Sequence, residues 1–164
     1  MSSIHKNLSD FSHIKVKSAE NFTYGIVVSQ WNAEVTGALL EGAVKGLLDH
    51  GAIEKDIEIV EVPGSYELIS GADLLLGTEK YDCVIAIGCV MQGETRHFDF
   101  ICDAVANGLA NVSIKYNKPV IFGVLTTDTM EQARERAGGK HGNKGEEAAI
   151  TAIQMVNLQK SLAE

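Results

Sequence analysis

Four short apolar runs recur along the chain, and each is followed by residues spaced for a helix. Residues 24–29, 56–62, 82–90 and 120–125 have the length, β-branched content and turn-forming flanks of strands. The second run alternates charged and aliphatic residues until Pro63 stops it. Between the first two, residues 34–50 place Val35, Leu39, Val44, Leu47 and Leu48 close to helical period, and Gly51 supplies a C-cap. Residues 65–76 predict a second helix closed by Gly77. Residues 98–116 carry Phe98, Ile101, Val105, Leu109 and Val112 on one stripe. A short charged helix is predicted over 130–137, followed by a flexible glycine-rich joint over 138–145 and a last helix ending near Leu162.

Repeated strand–helix units imply a parallel sheet covered on both faces, with right-handed crossovers. The expected fold is α/β, a flavodoxin-like three-layer sandwich with a four-stranded parallel sheet, built as one domain over residues 22–164. Residues 1–21 fall outside this scheme. Within them, residues 11–16 alternate like a lone strand. That segment is either a frayed tail or an arm that adds to the sheet of a neighbouring subunit.

Composition narrows the function classes. A chain of 164 residues with 45% hydrophobic content builds one domain with a substantial core. A net charge of −8 argues against a nucleic-acid or anionic-membrane surface. The three cysteines, Cys83, Cys89 and Cys102, are odd in number, and two adjoin apolar strand residues. They read as reduced thiols of a cytoplasmic protein, and no CxxC or His/Cys cluster has zinc spacing. The first nine residues carry no apolar signal core, and no apolar run approaches the ~20 residues of a membrane span.

Candidate chemistry concentrates where strands end. In an open parallel sheet, ligands bind beyond the carboxyl ends of the strands. The third strand runs directly into Gly88-Cys89-Val90-Met91-Gln92-Gly93-Glu94-Thr95-Arg96-His97-Phe98-Asp99. Glycines there allow close backbone approach, and free N–H groups at the helix start favour an anion. His97 lies in the same turn, where the helix dipole disfavours added positive charge and an imidazole can exchange protons. A surface histidine is the plainer alternative. After the first strand come Trp31 and Asn32, and Trp31 is the only tryptophan. Its indole either stacks on a flat heteroaromatic ring or caps the helix as a core aromatic. After the second strand come Pro63-Gly64-Ser65-Tyr66-Glu67, a helix start that can also offer N–H groups and a carboxylate to hydroxyls. Arg136 stands beside the glycine joint, and arginine is the side chain best shaped for phosphate. The Lys144-bearing joint is no P-loop, since Gly145 follows the lysine and no strand precedes it. No GxGxxG or flavodoxin-type phosphate loop follows the first strand.

Taken in order, these motifs resemble the lumazine synthase family. They are Trp31-Asn32, Val62-Pro63-Gly64-Ser65-Tyr66-Glu67, Gly88 through Phe98, Pro119 through Thr126, Glu135-Arg136-Ala137-Gly138 and Gly142-Asn143-Lys144-Gly145. The resemblance runs from about Phe22 to Leu162. It implies a transferase of riboflavin biosynthesis that condenses 5-amino-6-(D-ribitylamino)uracil with 3,4-dihydroxy-2-butanone 4-phosphate. The products are 6,7-dimethyl-8-ribityllumazine, phosphate and water, and the family needs no metal or organic cofactor. Position by position, it implies that Trp31, with Asn32, meets the uracil ring, and that Ser65, Tyr66 and Glu67 hold the ribityl chain. Cys89, Val90 and Met91 would contact the pyrimidine through backbone groups. Glu94 and Thr95 would meet the phosphate through the helix start, with Arg136 as counter-charge and Lys144 nearby. His97 would be the catalytic proton-transfer residue. Glu94 departs from relatives with a small residue there, so its carboxylate must point away. Phe122 would come from the adjacent subunit, because family sites lie between neighbours of a pentamer. The joint over 137–145 is similar to the short form in relatives that close pentamers into icosahedral 60-mers. Riboflavin synthase is the implied candidate protein partner. Two other classes compete, a flavin- or lumazine-binding module without catalysis and a shell protein with a vestigial site.

Overall fold

The computed structural model describes residues 7, 10, 11 and 13–163; the rest of the polar start, together with Ser12 and Glu164, lies outside the described residues. The strands are β1 (Tyr24–Ser29), β2 (Ile57–Val62), β3 (Cys83–Met91) and β4 (Val120–Thr127). They form one parallel sheet in the order β2-β1-β3-β4. The helices are α1 (Ala33–Asp49), α2 (Leu68–Gly77), α3 (His97–Tyr116), α4 (Met130–Glu135) and α5 (Lys144–Ala163). This is the expected α/β, flavodoxin-like arrangement.

Period-2 alternation along the buried strands divides the core in two. Tyr24, Ile26 and Val28 of β1, with Cys83, Ile85, Ile87 and Cys89 of β3, face α1 and α5. Val27, Val84, Ala86 and Val124 face α2 and α3. Helix α5 lies so close to α1 that a Cβ on Gly145 would stand 1.8 Å from the Leu39 carbonyl oxygen. Only glycine fits there.

Several predicted boundaries shift for local reasons. Residues 54–56 wind into a 3₁₀ turn, so β2 starts at Ile57. β3 and β4 pair as far as Met91 and Thr127, which lengthens both strands past their apolar runs. α2 starts at Leu68, because Ser65 to Glu67 form a turn in which the Leu68 N–H donates to the Ser65 carbonyl at 3.3 Å.

The largest departure is the glycine-rich joint. Instead of a flexible connection, it folds into an antiparallel hairpin of β5 (Ala137–Gly139) and β6 (Gly142–Asn143). Gly138 and Gly142 adopt φ +108° and +82°, which turn the chain tightly. Asn143 then accepts the Gly145 N–H at 2.8 Å and donates to the Ala38 carbonyl at 3.0 Å, tying the hairpin to α1.

The described part of residues 11–16 is not a strand in this chain. The Ile14 N–H donates to the Phe11 carbonyl at 3.0 Å, and Phe11, Ile14 and Val16 rest half-buried against the α1–α5 side of the core. A lone extended segment needs a sheet edge to pair with, and none is engaged here.

Candidate functional site at the strand ends

The turns after β1, β2 and β3 and the start of α3 line one cavity. Beyond β1, the Gln30 N–H donates to Val62 O at 2.8 Å and the Trp31 N–H to Pro63 O at 3.2 Å, prolonging the β1–β2 ladder. Asn32 then takes a left-handed conformation, φ 62° and ψ 44°, and starts α1. Its Nδ2 donates to the Cys89 carbonyl at 3.0 Å. The Trp31 ring is left 72% exposed, which removes its core-aromatic alternative.

Below it, the turn after β2 presents Ser65, nearly buried, and Tyr66, 54% exposed. Gly88 makes room for this turn. A Cβ there would meet Ser65 Oγ at 2.8 Å and Leu68 Cδ1 at 2.9 Å. Past β3, the Gln92 N–H donates to Thr127 O at 2.8 Å, holding the loop toward β4. Nothing lies within 4 Å of a Cβ on Gly93, so the chain there is open to a ligand. His97 is exposed as the first residue of α3, and its N–H meets Thr95 Oγ1 at 3.4 Å.

These segments enclose a cavity of about 700 Å³. Trp31, Asn32, Ser65, Tyr66, Glu67, Cys89, Val90, Met91 and His97 all line it. So do Gly64, Gln92, Gly93 and Ile101, which were not among the candidates. Gly64, Gln92 and Gly93 lay inside the quoted motifs. Ile101 was assigned to the core stripe, although its spacing of four from His97 puts both on one helix face.

The remaining candidates lie off the cavity. Glu94 and Thr95 are exposed in the turn before His97. Phe122 stands on the edge strand β4, 38% exposed. Arg136 ends α4, its Nη1 donating to Gln132 O at 2.9 Å. Lys144 pairs with Glu147 at 2.8 Å. No lysine or arginine lines the cavity among the described residues.

The nearby thiol is not poised as a nucleophile. Burial pushes the Cys89 thiol up to about 11, so it stays protonated at neutral pH. Among the described residues no group of three His, Cys, Asp or Glu side chains could hold a metal, and no helix is long and apolar enough to cross a membrane.

A cavity framed by these motifs in this order invites comparison with known proteins. Residues 21–160 match the model of the 6,7-dimethyl-8-ribityllumazine synthase family. The chain belongs to that family. A lumazine synthase of Cytophaga hutchinsonii is 56% identical over 156 residues, covering 95% of this chain and 98% of the relative. That of Phocaeicola vulgatus is 49% identical over 162 residues, covering 99% and 96%. That of Bacteroides fragilis is 54% identical over 139 residues, covering 85% and 97%. Every lumazine synthase motif quoted above ends within the matched stretch, including the cavity-lining turns and the Arg136 and Lys144 positions.

Proposed function

We propose that this lumazine synthase carries out its family's condensation in the strand-end cavity. The enzyme is a transferase of riboflavin biosynthesis. The amine of 5-amino-6-(D-ribitylamino)uracil attacks the ketone of 3,4-dihydroxy-2-butanone 4-phosphate. Imine formation, phosphate loss and ring closure then give 6,7-dimethyl-8-ribityllumazine, phosphate and water. The observation that carries this reading is the cavity of about 700 Å³, lined by an exposed indole, a hydroxyl-and-carboxylate turn and one histidine.

The division of labour follows from the chemistry of each wall. Trp31 offers a flat face to the uracil ring. Ser65 and Glu67 offer polar groups to the ribityl hydroxyls. The N–H groups from Gly93 to Arg96, leading into the helix start, are offered to the phosphate. His97 passes protons between the nitrogen, the carbinol oxygen and water. Amine and ketone react without a strong catalyst, so much of the acceleration comes from holding both together, which can supply roughly 7–11 kcal/mol. Proton transfer by His97 adds about 10²–10⁴-fold.

A phosphate dianion needs more than N–H groups, and among the described residues the cavity wall of one chain carries no arginine or lysine. We infer that a second copy brings Arg136, Lys144 and the exposed ring of Phe122 to this cavity. On this reading the working form is a homo-oligomer of pentamers closed into an icosahedral shell, with residues 11–16 reaching a neighbour's sheet edge. Closed symmetry satisfies every repeated contact at once. The compact β5–β6 hairpin, which sets the direction of α5, supports the shell over a free pentamer. A cytoplasmic location fits the three free thiols, Cys83, Cys89 and Cys102.

The decisive experiment mixes the protein with both substrates and follows lumazine fluorescence together with phosphate release. Equal amounts of both products are expected. Tight binding of a lumazine or riboflavin analogue without turnover would instead establish a binding module.

A further inference from the structure

The three strand ends that frame the cavity are not held by the sheet alone. Parallel pairing of β1 with β3 ends at Val28 and Ile87, whereas β3 continues beside β4 to Met91. Backbone groups alternate sides along a strand. The Val84 N–H donates to Pro119 O on the β4 side, so the alternation aims Cys89 toward β1. At that level β1 has already ended. The Cys89 carbonyl therefore faces a missing ladder position, and Asn32 Nδ2 fills it at 3.0 Å. On the opposite side, the Gln92 N–H holds Thr127 O at 2.8 Å. Cys89 to Met91, the backbone that lines the cavity, is thus pinned from both flanks.

Asn32 does a second thing with its backbone. Its left-handed conformation reverses the chain between Trp31 and α1, and its carbonyl accepts the Val35 and Thr36 N–H groups at 2.9 and 3.0 Å. Trp31, bonded through its own N–H to Pro63 O, is left with its ring out over the cavity. Asparagine tolerates this conformation better than other side chains that carry an amide donor.

We infer that Asn32 is a positioning residue. It clasps the Cys89 carbonyl and thereby fixes the Trp31 ring and the Cys89–Met91 backbone as two walls of one slot for a flat, heteroaromatic amine. One N–H of the amide that sequence alone would hand to the substrate is taken by the protein. This inference rests on the proposed condensation for its kinetic readout.

Asn32→Gly tests it, because glycine keeps the left-handed backbone and removes only the clasp. Asn32→Asp keeps size and shape but turns a carboxylate oxygen toward the Cys89 oxygen. In Asn32→Gly, KM for the ribitylamino-uracil should rise about tenfold, the worth of one ordinary hydrogen bond. KM for the phosphorylated ketone should stay within about twofold. Asn32→Asp should be worse than Asn32→Gly. Trp31 is the only tryptophan, so its fluorescence anisotropy reports the slot directly and should fall in Asn32→Gly. A merely structural role would lower the unfolding midpoint while leaving the ratio of the two KM values and the anisotropy as in the wild type, and that result overturns the inference. Equal rises in both KM values overturn it as well. If the wild type makes no lumazine, the condensation reading fails by itself, and unchanged Trp31 anisotropy in Asn32→Gly then separately overturns the positioning role.

Discussion

Arg134 grips Glu34 with two parallel hydrogen bonds, Nε to Oε1 at 2.8 Å and Nη2 to Oε2 at 3.0 Å. The pair docks α4 against the start of α1 and holds the Glu34 carboxyl below its ordinary range. Two residues on, Arg136 makes no ion pair among the described residues and gives one N–H to Gln132 O. Of two neighbouring arginines, one is committed to a carboxylate and the other carries no ion pair among the described residues. Arg136→Ala should therefore raise KM for the phosphorylated ketone about 10- to 150-fold, the equivalent of roughly 1.5–3 kcal/mol for a charge-assisted contact. Arg136→Lys should recover part of this, because the planar fork is lost. Arg134→Ala, at an exposed pair, should change it far less. Steady-state kinetics with each substrate varied in turn checks the assignment. Equal weakening of both substrates by Arg136→Ala would contradict it.

His97→Ala should lower kcat by about 10²-fold or more, within the usual reach of proton transfer, and leave a residual rate from proximity. Assembly should be intact, because the side chain is exposed at a cavity wall. A kcat within twofold of the wild type, in protein of unchanged particle size, would remove His97 from the proton path.

Trp31→Ala should weaken the ribitylamino-uracil, while Trp31→Phe should be tolerated, since stacking needs a flat face and no N–H donor. Because the ring is 72% exposed and lines the cavity, a lumazine or riboflavin analogue should quench its emission on titration. Emission indifferent to saturating analogue would detach Trp31 from the binding site.

Sharing of the site between copies has its own test. His97→Ala and Arg136→Ala subunits, unfolded together and reassembled, should at low ketone concentration turn over faster than either variant alone. Random placement in a ring leaves about a quarter of the shared sites with both residues intact. No gain on mixing would put Arg136 and His97 in the same chain's site. Light scattering of the wild type should give a shell; a uniform five-subunit particle would rule out closure and leave the chemistry untouched.

Stability should fall in alkali. Burial raises the thiols of Cys83 and Cys89 and the phenol of Tyr24, with Cys89 reaching about 11. An unfolded cysteine ionises near about 8.5. Below that pH, both states hold the proton and stability is unaffected. Between about 8.5 and about 11 the unfolded chain releases it while the folded chain retains it, so stability declines as pH rises. Unfolding midpoints measured from pH 7 to 10.5 should drop above about 8.5. Cys89→Ser should flatten the early part of that drop. A midpoint rising with pH over this window would refute the assignment.

The alternation of apolar runs and helical stripes was enough to predict the parallel sheet, because buried parallel strands must be apolar on both faces and the helices covering them must be amphipathic. The turn motifs at the strand ends were equally legible, since glycine, proline and capping residues act on their immediate neighbours. What lies across the chain was not. Gly138–Gly145 looked like a flexible joint, but Ala137 pairs with Asn143 in a hairpin, and Asn143 ties that hairpin to α1. The sequence singled out Arg136 for an anion, but that its neighbour Arg134 is taken by Glu34, 100 residues away, shows only in the fold. That Asn32 also serves its own chain shows only where β1 ends short of Cys89, leaving a carbonyl for its amide to satisfy. A side chain's type is local information, but which partner consumes its hydrogen bonds depends on where distant strands stop, and that is decided by tertiary packing.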